Sequence, residues 1–228
     1  MTNHEIKMTN QLIQQINLKK KILRALVVIL ELLIIGLAIY LIALPFYPLV
    51  KYQILTKLQI INSPQASDIS QVIKETEKII NHLPQADYSV SPNRIIITKI
   101  GVNAPIIEST NANYALARGA WRVPESSTPD QVGNVVITGH RFKYLPPSNL
   151  TFYLLDKLEK EDLVSLVWQG KNYYYQIKEI KVVDKHDFSI LATSQKPILT
   201  IFTCDPIYSD KNRLVVIAEL VKDEKVEK

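Results

Sequence analysis

The sequence predicts an all-β domain of about 130 residues, enough for one hydrophobic core, behind a single membrane-spanning helix. Three observations carry this prediction. From residue 92 onward, short runs of β-branched and aromatic residues alternate with turn residues. Before these runs lies a segment with the apolar spacing of one helix face. Before that segment comes one apolar run of the length that crosses a bilayer.

The apolar run covers residues 25–44 and is interrupted only by Glu31 and Gly36. A helix needs about 20 such residues to cross the hydrocarbon core of a membrane. The nearby basic residues are Lys7, Lys19, Lys20, Lys21 and Arg24 before the run, and Lys51 and Lys57 after it. This bias predicts a cytoplasmic segment over residues 1–24 and an extracellular location for the rest of the chain. The run exceeds a typical signal-peptide core and lacks a small-residue cleavage site, which favours an uncleaved signal anchor.

Residues 45–88 are predicted to form a connector and an amphipathic stalk helix. Apolar residues recur at helical spacing over 68–83, with Asp68 at a favourable N-cap position and Pro84 as a stop signal. This helix either packs against the following domain or acts as a spacer.

The domain is predicted to cover residues 89–222, followed by a charged tail at 223–228. Its strand-like runs are 94–100, 102–107, 134–138, 163–168, 173–183, 198–203 and 214–220. The segment 169–172 contains Gly170 and predicts a hairpin turn between two of them. Residues 151–158 predict a short helical turn. Strands at this spacing are typical of a β-sandwich or β-barrel.

Composition excludes some classes of function. The formal net charge is +5, but five of the basic residues are the cluster before the apolar run, and the rest are interspersed with acidic residues. There is no basic stripe or nucleic-acid-binding motif, so the sequence disfavours a nucleic-acid partner. The chain has one cysteine and therefore no internal disulfide, so the thiol is free to react.

That cysteine, Cys204, follows the apolar run 198–203, and Asp205 and Pro206 close the strand behind it. A lone cysteine is more often a small buried hydrophobe than a nucleophile. Here, however, the sulfur is predicted at a strand end. A short polar loop joins this strand to the run that begins after Arg213, a length suited to an antiparallel pair. Cys204 and Arg213 should then flank the base of one loop.

His140 is the histidine that best fits the same site. It terminates the buried-type strand 134–138, after Gly139, which permits close approach of backbone or substrate. The other histidines have less suitable positions. His4 precedes the membrane run, His82 ends the stalk helix and His186 lies in a polar loop.

The segments TIFTC at 200–204 and RLVV at 213–216, preceded by GHR at 139–141, resemble the sortases. These are membrane-anchored cysteine transpeptidases that attach surface proteins to cell walls or polymerise pilins. The resemblance covers residues 92–220 in the family's order, and it includes the segments 95–106 and 119–134. It implies a closed sortase-type β-barrel of about eight strands with short helices.

The resemblance also implies a mechanism. Cys204 would attack a peptide bond in an LPxTG-like sorting signal of a surface protein, and His140 would protonate the departing amine. The resulting thioester would be resolved by an amine, from a peptidoglycan precursor or a pilin lysine. Arg213 would hold the substrate and stabilise negative charge on the scissile carbonyl. Thr203 would contact the substrate backbone.

The sequence departs from the family pattern at two positions. Ile201 replaces the usual leucine of the signature, a volume-conserving change. Asp205 directly follows the nucleophile, and its negative charge should oppose thiolate formation, so Asp205 is a possible tuning residue. No second apolar span follows residue 220, which favours a housekeeping or class D-like enzyme over the pilin-polymerising subclass.

Two other functions remain open at this stage. An L,D-transpeptidase-like wall cross-linking enzyme also uses a thiol and a histidine, but its serine-x-glycine-cysteine signature is absent around Cys204. A membrane-tethered β-barrel binding module would use Cys204 only as a core residue. No cofactor is expected. A dependence on calcium is neither predicted nor excluded. Glu108, Glu159, Glu161 and Asp162 show no metal-ligand spacing that would predict a calcium site.

Overall fold

The computed structural model describes residues 3–57, 73–74, 92–143 and 148–221. The chain divides into two compact units, residues 1–46 and 47–228. Most of the predicted stalk helix at 68–83 lies outside the described residues, as does the charged tail at 223–228.

The first unit is dominated by helix α1 (Asn3–Ala43), which continues into a 3₁₀ turn at Leu44–Phe46. The helical stretch Gln14–Ile54 is long and apolar enough to cross a membrane. Apolar side chains along it, such as Leu33 and Ile42, are more than half exposed. A helix that is apolar on all sides and unburied fits a membrane anchor.

The second unit opens with helix α2 (Tyr47–Lys57). The sequence predicted a connector here, but the segment is helical. Pro48 lies in the first turn, where a backbone N–H would have no partner within the helix, so its missing N–H costs no hydrogen bond. Leu49 and Tyr52 pack against the core of this unit.

Eight strands form a closed barrel, in the order β1-β2-β3-β4-β7-β8-β6-β5, with β5 also paired to β1. This confirms the predicted fold. The strands are β1 (Arg94–Ile97), β2 (Val102–Glu108), β3 (Ala120–Arg122), β4 (Asn134–Thr138), β5 (Leu163–Trp168), β6 (Lys171–Asp184), β7 (Ile198–Asp205) and β8 (Asn212–Leu220). The pairs β2–β3 and β4–β7 are parallel and the others are antiparallel.

The short elements fit between these strands. They are helix α3 (Ala112–Leu116) and 3₁₀ turns at Thr98–Ile100, Leu155–Lys157 and Phe188–Leu191. The turn after Trp168 has positive φ at both Gln169 and Gly170, the backbone of a type I′ hairpin. The predicted hairpin and the predicted helical turn within 151–158 are therefore both present.

Side-chain alternation defines two faces of the strands that carry the site. The barrel core contains every second residue: Val135 and Ile137 of β4, Leu199 and Ile201 of β7, and Leu214, Val216 and Ala218 of β8. Residues between these point outward.

Part of the outward face is also covered. Val136, Thr200 and Val215 point outward yet are buried. Asn134, on the same face, donates from Nδ2 to the carbonyls of Ile190 and Ala192 at 3.2 and 3.0 Å. The segment after β6 therefore covers this face near Asn134, at the start of β4. The ends of β4 and β7 lie beyond the covered part.

Candidate active site

Cys204 lies near the end of β7, one residue before the strand ends at Asp205. The side chain is partly exposed and its thiol is free. In the β7–β8 pair, Cys204 is directly opposite Arg213. Residues opposite each other in an antiparallel pair point to the same face, with Cβ atoms about 5 Å apart. The thiol and the guanidinium therefore share the outward face at the base of the loop 206–211.

His140 lies two residues beyond the end of β4. The parallel register pairs Thr138 with Phe202, so continuing it by two residues places His140 level with Cys204. Two side-chain bonds hold this alignment: Thr138 Oγ1 donates to the Phe202 carbonyl at 2.9 Å, and Thr203 Oγ1 to the Gly139 carbonyl at 2.8 Å. Adjacent strands lie about 4.8 Å apart, so we expect the imidazole and the thiol to lie close together.

The parity of the residues places all three groups on one face. Thr138 and His140 are two residues apart, as are Phe202 and Cys204, so each pair points the same way. At this end of the barrel, three neighbouring segments carry the groups of the site: the imidazole on the continuation of β4, the thiol on β7 and the guanidinium on β8.

Gly139 is required by a close approach within the barrel. A Cβ atom at this position would lie 3.0 to 3.3 Å from three carbon atoms of the Phe152 ring. The Phe152 amide also donates to the His140 carbonyl at 2.9 Å. Because Gly139 has no side chain, the buried Phe152 ring can pack directly against the histidine segment.

The electrostatics of His140 favour the neutral imidazole. Burial lowers the pKa of His140 below its ordinary value near 6.5, and the positive charge of Lys143 lowers it further. Both causes disfavour the imidazolium form. At neutral pH the ring is therefore predominantly a base, and its protonated form is a stronger acid than free imidazole.

We expect Lys143→Ala to raise the pKa of His140 without returning it to the ordinary value, because the larger cause, burial, remains. An NMR titration of the His140 ring measures this. Lys178→Ala is the matched control, since its ammonium bonds Gln176 on β6 and should not affect His140. An unchanged or lower pKa in Lys143→Ala would show that Lys143 does not act on the imidazole.

The Arg213 guanidinium is held by the loop that precedes it. Its Nη1 atom donates to the carbonyls of Asp210 and Asn212 at 2.9 and 3.0 Å. These bonds to uncharged oxygens fix the side chain and leave its positive charge unneutralised by them. The charge can then act on the neighbouring thiol or on a substrate carbonyl.

Thr203 has a position that the sequence did not predict. It is buried, points to the core face opposite the thiol, and its hydroxyl bonds Gly139. This placement favours a structural role, joining β7 to the histidine segment, over the substrate contact that the resemblance implied.

Asp205 is held by Arg141, a residue of the GHR segment for which the sequence predicted no role. Arg141 Nη1 donates to Asp205 Oδ1 at 2.9 Å. Asp205 neither bonds a loop amide nor stands alone beside the thiol. Because successive side chains alternate, the Asp205 carboxylate lies on the opposite face from the Cys204 sulfur.

The other histidines lie elsewhere. His186 follows β6, its side chain is 72% exposed, and it bonds Asp184 at 3.0 Å. His4 lies in α1, and His82 lies outside the described residues.

The acidic residues considered as calcium ligands have partners of their own. Glu159 and Asp162 bind Lys99, Glu108 pairs with Arg122, and Glu161 with Lys178. In the described parts of the chain, no group of three or more His, Cys, Asp or Glu side chains is arranged to hold a metal ion.

Comparison with known proteins gives one consistent family. The family model described as Sortase domain matches residues 95–221. The chain is 34% identical to Sortase D of Bacillus subtilis (strain 168) over 111 residues, which is 48% of this chain and 52% of the relative. It is 27% identical to Sortase A of Listeria monocytogenes serovar 1/2a over 134 residues, 59% of this chain and 58% of the relative. The match thus spans little more than half of either relative.

Solved structures show the same barrel. Sortase C1 of GBS Pilus Island 1 has a TM-score of 0.52 at 28% identity, covering 60% of this chain and 68% of that one. A Clostridium perfringens Sortase D5 transpeptidase has a TM-score of 0.51 at 26% identity, covering 65% and 88%.

Proposed function

The chain belongs to the sortase family, and from this premise we propose that it is a cysteine transpeptidase that cleaves an LPxTG-like sorting signal through a thioester on Cys204. The observation that carries the proposal is the outward face described above. It holds the sole cysteine directly opposite Arg213 and level with His140. A nucleophile, a proton donor and a fixed cation are the groups that acyl transfer from a peptide requires.

In the first half-reaction, the neutral His140 imidazole takes the proton of the Cys204 thiol, and the resulting thiolate attacks the carbonyl carbon of the scissile peptide bond. The carbonyl oxygen becomes negatively charged, and the Arg213 guanidinium stabilises it. When the C–N bond breaks, the His140 imidazolium donates its proton to the departing amine. The products are a thioester between the substrate acyl group and Cys204, a free amine and a neutral imidazole.

In the second half-reaction, an acceptor amine attacks the thioester carbonyl. The neutral His140 removes a proton from this amine as the new C–N bond forms, and the Cys204 thiolate leaves. The lowered pKa of His140 suits this step, because the imidazole is already in its basic form at neutral pH. The acceptor is a peptidoglycan precursor or a pilin lysine, and the enzyme is regenerated.

The likeness to Sortase D of Bacillus subtilis supports a class D-like enzyme. The helix at the N-terminus fits a membrane anchor. With the basic residues that precede it, it supports a single-pass topology with a cytoplasmic N-terminus and an extracellular catalytic domain. The proposed partners are surface proteins with a C-terminal sorting signal. The family assignment also makes the L,D-transpeptidase alternative unnecessary.

The test is to incubate the full chain, in detergent micelles, with a panel of LPxTG-like peptides. Mass spectrometry should detect the acyl fragment bound to Cys204, and adding an amine should release it as a new amide. The native thiol should also react with iodoacetamide. If no peptide acylates Cys204 and the thiol is inert, the enzyme proposal fails and the chain acts as a binding module.

We expect Arg213→Lys to lower kcat/KM by more than tenfold, about 1.4 kcal/mol or more of transition-state stabilisation. Lysine keeps the charge but loses the planar fork that donates two parallel hydrogen bonds. Steady-state kinetics with an accepted peptide measures the effect. Arg122→Lys is the matched control, since this guanidinium pairs with Glu108 and the Ser126 carbonyl away from the site. Near-normal activity of Arg213→Lys would mean that the fork has no role.

A further inference from the structure

Arg141 is a buried cation directly behind the proposed active site. It follows His140 in sequence, yet it points to the opposite face, and its side chain is only 3% exposed. A guanidinium cannot lose its charge in a protein, so burying it is costly unless other groups compensate for the lost water. The contacts of Arg141 therefore show what the fold gains from it.

Those contacts join three segments of the chain. Nε donates to the Tyr153 carbonyl at 3.2 Å, and Nη2 to Asp156 Oδ1 at 2.9 Å, both in the segment after β4. Nη1 donates to Asp205 Oδ1 at 2.9 Å and makes a longer bond to the Cys204 carbonyl at 3.4 Å. One rigid fork thus links the histidine segment, the 3₁₀ turn at Leu155–Lys157 and the end of the nucleophile strand.

This arrangement has two consequences for the thiol. The Asp205 carboxylate, the anion nearest to the nucleophile in sequence, forms a close ion pair, so its field at the sulfur is largely cancelled. Arg141 also bonds the Cys204 carbonyl from the face opposite the thiol, which fixes this peptide relative to His140. We propose that Arg141 is a positioning residue for the transpeptidation chemistry: it neutralises Asp205 and holds the Cys204 peptide opposite His140. This rests on the function proposed above.

The segments around the thiol carry further charged and titratable groups. From β4 and its continuation these are His140, Arg141 and Lys143; from the segment 148–157 they are Tyr153, Asp156 and Lys157; from β7 Asp205; from the loop and β8 Tyr208, Asp210 and Arg213. Asp156 is partly compensated by Lys157 at 2.8 Å as well as by Arg141. Removing Arg141 therefore leaves the negative charge of Asp205 less compensated than that of Asp156.

A mutant cycle between Arg141 and Asp205 tests the proposal, because Cys204 is the sole cysteine and labelling reports on it alone. The full chain is labelled with iodoacetamide over a range of pH. Arg141→Met should move the labelling curve to higher pH and slow labelling at pH 7 by about 3- to 30-fold, as expected for an uncompensated carboxylate about 7 Å from the sulfur. Asp205→Asn alone should speed labelling. The double variant should return close to the native curve.

The return of the double variant separates positioning from general structural support. If Arg141 only stabilised the fold, the double variant would label as slowly as Arg141→Met, and this result would overturn the proposal, as would an unchanged curve for Arg141→Met. Arg122→Met, which removes another guanidinium that pairs with a carboxylate, should label like the native chain. With an accepted peptide, Arg141→Met should lower kcat by about tenfold with little change in KM, since a buried side chain cannot touch substrate.

Folding is checked by circular dichroism. If Arg141→Met does not fold, the cycle is repeated with Arg141→Lys, whose single ammonium cannot bond Asp156 and Asp205 through a fork. It should give a smaller slowing that Asp205→Asn again removes; slowing that persists in the double variant, or its absence, contradicts the proposal. If the native chain acylates no peptide but the labelling cycle closes as expected, the proposed function fails while the role of Arg141 at the thiol stands.

Discussion

Cys204→Ala is expected to abolish transpeptidation while leaving the fold intact. The chain has one cysteine, so no second thiol can form the thioester. Alanine removes one partly exposed sulfur from a strand end, and the bonds that hold this region do not use it. Thr203 Oγ1 bonds Gly139, and Arg141 reaches the Cys204 backbone carbonyl. We expect no acyl-enzyme by mass spectrometry, turnover below detection and an almost unchanged melting temperature.

Cys204→Ser is the companion variant. The serine hydroxyl nearly matches the thiol in size but is a much weaker nucleophile at neutral pH. It should also be inactive and should melt like the native chain. Measurable turnover in Cys204→Ala would rule out the thioester mechanism. A loss of folding in both variants would show instead that Cys204 is needed for packing.

Most of the barrel could be predicted from sequence because its strands are local patterns. β4 and β5 begin and end as predicted, since each is a run of β-branched and apolar residues with clear turn residues on both sides. β3 was missed because its three residues, Ala120–Arg122, are too few to show a period. β1 is shorter than predicted, because its run continues into a 3₁₀ turn at Thr98–Ile100. The closed barrel came only from the resemblance, and the order of the strands and the pairing of β1 with β5 were not predicted because they depend on long-range pairing.

Site residues on segments that are close in sequence were easier to predict than those that come from distant segments. Cys204 and Arg213 could be paired from sequence because a short loop joins their strands. His140 required a parallel pairing between β4 and β7, more than 60 residues apart, which no local pattern reveals. Arg141 was missed because it reads as a solvated residue after a strand, whereas its burial depends on Asp156 and Asp205 in two other segments. Its one sequence signal was the acid after the cysteine, which needs a cation nearby if a thiolate is to form.

The two faces at the strand ends have different roles: one carries the proposed catalytic groups, and the other carries groups that hold the strand ends in place. The outward face carries the groups proposed to contact substrate, Cys204, His140 and Arg213. The other face carries a buried guanidinium that bonds the strand ends. Residues adjacent in sequence thus belong to different faces, His140 to one and Arg141 to the other, because side chains alternate along an extended chain. Substitutions at neighbouring positions should therefore give different kinetic signatures.

His140→Ala is expected to lower kcat/KM by at least about 100-fold, in the range typical for loss of a general acid and base. Without the imidazole, the proposed site loses the group that protonates the departing amine in the first step and deprotonates the acceptor in the second. The fold should survive, because the bond from Phe152 reaches the His140 backbone carbonyl, which alanine retains. The measurements are steady-state kinetics with an accepted peptide and a melting curve.

The controls for this prediction are the other histidines. His186→Ala should leave kcat/KM nearly unchanged, because this side chain is largely exposed and its bond is to Asp184 in its own turn. His82→Ala is expected to be tolerated as well. Iodoacetamide should still label Cys204 in His140→Ala, which would show that the loss concerns proton transfer and not access to the thiol. If His186→Ala is as damaging as His140→Ala, the general acid and base is His186, and the pairing of β4 with β7 does not define the active site.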